Sequence, residues 1–418
     1  MKTIAFIFLF LLINQKARSV ENYGMILSSG KLPELNQYGF YDSTKKMYLA
    51  FRATGIKRDN ITTMYDDGKG GNNTVMVEGS SWARDAAENT KLISVPRSLE
   101  GDTTSDMKNP ATPAGINASF DDLVKKIKAG DHLVLFITGH GNQEKGVVLW
   151  EGQYYKSEDL KKQLNKLPKD VTTHIITNIC YGGQLNQLTN KNVCVIANAD
   201  NKHTHDSLPN ISPIITGFTD VLKNRETKLS LLEAFTAAKA VDLDTNKYSQ
   251  TSLDYFLEKN SPKKNKLEVA NCYDDPKGSL ASLQKEISAI SEHLSQDSGP
   301  QKNHYEKYLK EQLKKINYNL NLIRNTVKEH DRVRNQLALD KLQKEWSSSS
   351  KKDQEQLRPK ITLLAEKLKK EDEAQNTEIT NLTKAEKQTL AEMRFLKSAT
   401  ASQLEDYYAI RKCLDYEM

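Results

Sequence analysis

Two stretches of this chain are apolar at nearly every position instead of at every second one: His132 to Ile137 (HLVLFI) and Val193 to Ala197 (VCVIA). A strand with one wet face alternates, whereas a strand apolar throughout is buried on both faces, as in a parallel sheet covered by helices. The surrounding pattern agrees. From about residue 22 to 245, short apolar runs alternate with helical spacing. Tyr23 to Ser28 reads as a first strand, Tyr38 to Ala53 as a helix ending near Gly55, and Ile61 to Tyr65 as a second strand entering the turn Asp66-Asp67-Gly68. A polar stretch from about Lys69 to Asn117 follows, long enough to be read as a functional loop contacting substrate. Ser119, with Asp122 at the capping-box position, reads as the start of a helix running to about Ala129. Ser157 caps another helix ending near Leu167, and His174 to Thr177 opens a further strand. The expected class is α/β, a parallel sheet flanked by helices, with its working loops at the carboxyl ends of the strands.

The chain has 418 residues, more than one ordinary core holds. The expected division is a signal peptide over 1–19, an α/β domain over 20–262, a polar linker over 263–276 and an all-α region over 277–418. In that last region Leu280, Leu283, Ile287, Ile290 and Leu294 alternate steps of three and four, as do Leu309, Leu313, Ile316, Leu320, Ile323 and Val327. Weaker periodicity resumes from Leu357 to Leu414. A helical hairpin or coiled-coil bundle is expected, serving self-association, partner docking or cover of an active site.

Residues 1–19 carry Lys2, an apolar core from Ile4 to Ile13, and small residues Ala17 and Ser19 around a cleavage point before Val20, the signature of an export signal. The expected location is therefore periplasmic or secreted, with no stable membrane insertion after cleavage. The net charge of +6 is interleaved with acidic residues, so no basic stripe for nucleic acid is present. Four cysteines stand at 180, 194, 272 and 413. Cys194 reads as a buried strand residue. Cys272 and Cys413 flank the helical region and are read either as a bridge closing it or as two unrelated thiols.

Two strand ends carry reactive side chains. One run ends Thr138-Gly139-His140-Gly141-Asn142 and the other Ile179-Cys180-Tyr181-Gly182-Gly183. A thiol near its free pKa of about 8.5 is little ionised at neutral pH, and a neighbouring imidazole raises its reactivity and then protonates the leaving amine. The N–H groups of Gly141 and Cys180 are the candidate oxyanion donors. His203, His205 and Asp206 lack the further ligands of a tetrahedral site, so no metal and no organic cofactor is expected.

The order LVLFITGHG, some forty residues, then HIITNIC resembles the legumain family of caspase-like-fold (clan CD) cysteine peptidases, which includes the catalytic subunit of the GPI transamidase. ATGIKRDNITTMYDDG (53–68) and VCVIANADNKHTHDS (193–207) are similar to further family segments, so the resemblance spans about 22–245 and leaves the helical tail outside. It implies a caspase-like sheet, His140 as base, Cys180 as nucleophile, Gly141 in the oxyanion hole, and Asn36 as a third catalytic residue. In legumains an acidic residue follows the cysteine; here Tyr181 stands there, and the pocket wall falls on Tyr181, Asn198, Asp200 or Ser207. The expected activity is that of an exported cysteine endopeptidase acting on peptide or protein through an acyl-thioester. The same dyad serves a transpeptidase or transamidase. A non-catalytic scaffold or adhesion protein built on the coiled coil is the reading from another class.

Overall fold

The structure is a computed structural model that describes residues 19–68, 73–78, 91–204, 213–223, 230–232, 234–235, 249–260, 339, 341–346, 353–366, 391–392, 395 and 400–417. In chain order it runs β1 (Asn22–Ser29), α1 (Tyr38–Ala53), β2 (Ile61–Tyr65), β3 (Asn73–Glu78), β4 (Lys91–Val95), β5 (Met107–Asn109), α2 (Pro113–Lys126) and β6 (His132–Gly139). Then come β7 (Gly141–Asn142), β8 (Gly146–Val148), β9 (Tyr154–Tyr155), α3 (Ser157–Leu164), β10 (Thr172–Asn178), β11 (Val193–Ala197), α4 (Pro213–Lys223), β12 (Gln250–Thr251), α5 (Ser252–Asn260) and α6 (Ala401–Leu414).

Seven strands form one sheet in the order β12-β11-β10-β6-β1-β2-β5. Every pairing is parallel except that of β11 with the two-residue β12 at the edge. The order starts with β1 inside the sheet, beside the central β6, and winds outward on both sides, the doubly wound arrangement in which neighbouring loops meet at the carboxyl rim. The strands apolar throughout, β6 and β11, lie inside the sheet. Leu133, Leu135 and Ile137 of β6 pack with Ile175 of β10 and Val193 and Val195 of β11 on one face, against Ile116, Phe120 and Leu123 of α2. Strand alternation sends Val134, Phe136, Ile176 and Cys194 to the other face, where they are equally buried. Among the described residues no helix is long and apolar enough to cross a membrane.

Several sequence expectations are corrected. The helix assigned to Ser119 begins two turns earlier: Thr112 is its cap, its hydroxyl accepting from the Gly115 N–H at 3.2 Å, and Pro113 occupies the first position. A Thr-Pro pair is a helix start because proline lacks only an N–H that would be unsatisfied there. Ser119 is instead buried inside α2. Ser157 is the first residue of α3 and not its cap, and that helix ends at Leu164. The stretch 69–117 is not all loop. It holds the β3–β4 hairpin and β5, which extends the main sheet.

Contacts group the residues before Phe256 with those from Glu405 onward, and leave Phe256 to Leu404 as a second unit. The chain's last segment, expected in the helical region, thus belongs with the sheet. The cause is covalent as well as steric: Cys413 of α6 is bonded to Cys194 of β11, with their Cα atoms 6.0 Å apart. This replaces the Cys272–Cys413 bridge. Cys194, read as an inert strand thiol, is buried as expected but points to the face on which Cys413 is buried with it. Cys272, the linker 263–276 and the heptads of 277–338 lie outside the described residues. In the second unit, 341–346 and 353–366 are helical.

Candidate active site

The central strands β6 and β10 are adjacent and in register, Thr138 opposite Asn178. Each ends in one reactive residue. His140 follows β6 directly, and Cys180 stands two residues beyond β10. Their loops meet. A side chain on Gly141 would run into the Cys180 carbonyl oxygen, so only glycine lets these two backbones come so close. Cys180 is the one cysteine among the described residues outside a disulfide and is partly exposed.

His140 is held on two sides. Its ring stands edge-on to Phe40 of α1, with centroids 5.0 Å apart, and its Nε2 lies 3.0 Å from the Leu35 carbonyl oxygen. A carbonyl only accepts, so Nε2 carries the proton in neutral His140 and Nδ1 keeps the lone pair. Burial holds the His140 pKa below its ordinary 6.5; the Leu35 carbonyl opposes this and nearby Lys31 adds to it. The imidazole is therefore neutral at pH 7, ready to accept a proton at Nδ1.

Asn36, expected as the third catalytic residue, is fully buried one position beyond Leu35. Its Nδ2 donates to both carboxyl oxygens of Asp66, at 3.0 and 3.1 Å, and lies 3.3 Å from the Tyr65 hydroxyl. The group that reaches His140 from this turn is the Leu35 carbonyl. Asp66 is buried at the end of β2, and burial, with Asp67 beside it and Arg97 opposing, pushes its pKa up to about 8. Neither contact has a local sequence signal, since a backbone carbonyl is anonymous and Asp66 reads as a turn residue.

The other expected residues take supporting places. Tyr181 adopts left-handed backbone angles (φ 57°), uncommon for a bulky residue, and its N–H donates to the His203 carbonyl at 3.0 Å. Asp200 accepts from the His203 ring at 2.8 Å and from the His203 N–H at 2.9 Å, which shapes the turn that holds Tyr181. The α-carbon of Asp200 also lies against Gly183. Asn198 is buried and donates to Asn178 at 2.9 Å, which in turn donates to Thr138 at 3.2 Å. That ladder ties β6, β10 and the end of β11 together beneath the two loops, so Asn198 is floor and not an exposed wall. Ser207, His205 and Asp206 lie outside the described residues.

A second cluster occupies the opposite, amino-terminal half of the strands. His174 of β10 is the register partner of Cys194, and its Nδ1 stands 3.5 Å from Cys194 Sγ and 3.6 Å from Cys413 Sγ. The His174, His132 and Tyr416 rings stack, with centroids 4.2 Å apart for His132–Tyr416 and 4.4 Å for His174–Tyr416. Sequence reasoning missed this group because its members are spread from 132 to 416.

No protein-family model matches the chain, and no curated protein matches its sequence. Among solved structures, the crystal structure of caspase-1 from Spodoptera frugiperda is similar at 12% identity with a TM-score of 0.34, covering 53% of this chain and 78% of that one.

Proposed function

We propose that the chain is a cysteine endopeptidase of the legumain-like, caspase-like type, with Cys180 as nucleophile and His140 as general base. One observation carries the reading. The two residues follow neighbouring central strands at the carboxyl rim, on loops so close that Gly141 has no room for a side chain beside Cys180. His140 Nδ1 takes the thiol proton, and the sulfur attacks the scissile carbonyl. The tetrahedral oxyanion is received by the N–H groups of Gly141 and Cys180, each donor worth roughly 3 kcal/mol in enzymes of this kind. The imidazolium then protonates the departing amine, leaving an acyl-thioester for water to cleave. The Leu35 carbonyl keeps His140 in the required tautomer, and Asn36 anchors that turn through Asp66. No step requires a metal or cofactor.

Export fits the apolar start of the chain and the Cys194–Cys413 bridge, since disulfides persist in oxidising compartments. The helical region offers a docking or self-association surface; Leu363 on its described helix is 70% exposed.

The test is cleavage of a peptide library varied at the residue before the scissile bond, beside Cys180→Ala and His140→Ala, with a thiol-directed acyl probe located by mass spectrometry. Cleavage and labelling at Cys180, both lost in Cys180→Ala and cleavage lost in His140→Ala, support the reading. Intact peptide and unlabelled Cys180 in the wild type overturn it. An added amine acceptor shows whether water or amine receives the acyl group.

A further inference from the structure

We infer that His174, Cys194 and Cys413 form a redox-gated zinc site, held as a disulfide when oxidised and binding one Zn²⁺ when reduced. The inference stands apart from the peptidase reading, since the cluster lies at the other end of the strands from Cys180. Among the described residues these three are the one group whose ligand atoms gather closely enough for a metal, all within 4.8 Å and all buried.

The geometry is specific. With Zn–S near 2.3 Å and Zn–N near 2.0–2.1 Å, a tetrahedral ion sets sulfur and nitrogen about 3.5 Å apart. His174 Nδ1 already stands 3.5 and 3.6 Å from the two sulfurs. Only the sulfurs need to move, parting to about 3.8 Å once their bond is gone. Zinc sites with three protein ligands take water as the fourth, so the three side chains suffice.

A disulfide has no need of an imidazole nitrogen spaced evenly from both its sulfurs, but a metal does. His174 is also oriented as a ligand is. Its Nε2 lies 3.2 Å from His132 Nδ1, so a proton on Nε2 donated to His132 leaves the Nδ1 lone pair facing the sulfurs. Tyr416 stacks on both rings and holds them parallel; its hydroxyl is fixed by Asn22 at 2.8 Å. Two thiolates and an imidazole select zinc over harder cations.

The exchange balances with a dithiol as reductant. The dithiol gives two electrons and two protons to the Cys194–Cys413 bond and becomes a disulfide; the two thiols then bind Zn²⁺ and release two protons. Either state fastens the C-terminal helix to β11, so the same attachment survives in an oxidising or a reducing compartment.

The test uses the full chain carrying Cys180→Ala, so that the Cys180 thiol contributes no metal binding. The chain is reduced with a phosphine, freed of metal, and titrated with Co²⁺ and then Zn²⁺. We expect one metal per chain by native mass spectrometry, visible absorption of a tetrahedral cobalt thiolate, and protection of Cys194 and Cys413 from alkylation while Cys272 still reacts. His132→Gln, which leaves all three ligands in place, should weaken binding by the roughly 10- to 100-fold of an outer-shell partner, and His174→Gln, which removes a ligand, by more than His132→Gln does. Failure to take up metal, or uptake that persists undiminished in Cys413→Ser, overturns the assignment; the alkylation pattern of the unsubstituted cluster decides even where a variant misfolds.

Discussion

Replacing Gly141 with alanine tests the contact on which the catalytic reading rests. The new Cβ would fall inside the van der Waals shell of the Cys180 carbonyl oxygen, where ordinary contact begins near 3.4 Å. Relief requires the His140 and Cys180 loops to separate by more than about 1 Å, and a misplacement of that size at a reacting centre lowers the rate by roughly 10²-fold. That is about 2.7 kcal/mol of transition-state stabilisation. Gly130→Ala is the matched control. Its φ of +87° makes a side chain strained, but nothing lies within 4 Å of its Cβ. That variant should lose about 1–2 kcal/mol of stability and no activity. Both variants are measured by kcat/KM on the best library peptide and by urea midpoint. If Gly141→Ala keeps the kcat/KM of the wild type while folding normally, the two loops do not meet as described and the argument fails.

Three further outcomes follow from the same structure. The Cys194–Cys413 bridge closes a loop of 219 residues, for which chain entropy gives about 5 kcal/mol of stabilisation; Cys413→Ser should lose a large part of it in metal-free urea denaturation, and a loss below about 1 kcal/mol would contradict the bridge. Because burial and Lys31 hold the His140 pKa below 6.5, the acid limb of kcat/KM should lie below that pH, and Lys31→Glu should move it upward; an unmoved limb removes His140 as the titrating base. Asp66 carries a pKa near 8 in the folded chain against 3.8 unfolded, so between those values the native state holds the extra proton and stability falls as pH rises. Asp66→Asn should therefore gain stability relative to wild type between pH 5 and pH 9, and a difference constant with pH would show that the carboxyl is not buried as described.

The sheet was legible because its signal is compositional. Strands buried on both faces have little choice of residue, and β11 was read to its exact ends at Val193 and Ala197. The placement of His140 and Cys180 was legible for a related reason: each follows an apolar strand, His140 between Gly139 and Gly141 and Cys180 two residues before Gly182, which leaves a short local pattern. What escaped has no such pattern. The tautomer of His140 is fixed by the backbone of Leu35, which any residue could supply. The helix start at Thr112 was passed over for Ser119 because a capping-box spacing outweighed a Thr-Pro pair. The partner of Cys413 depended on which face of β11 the thiol points to and on α6 folding back over some two hundred residues. Pairings at such separation are set by tertiary packing, which periodicity does not encode.

The central claim is that His140 Nδ1 activates Cys180. It is tested most directly by the pH dependence of Cys180 alkylation, followed peptide by peptide by mass spectrometry beside His140→Ala. The account predicts that wild-type Cys180 reacts well below the pH of about 8.5 at which a free thiol ionises, and that His140→Ala returns it to that value. Identical profiles in the two proteins would contradict it.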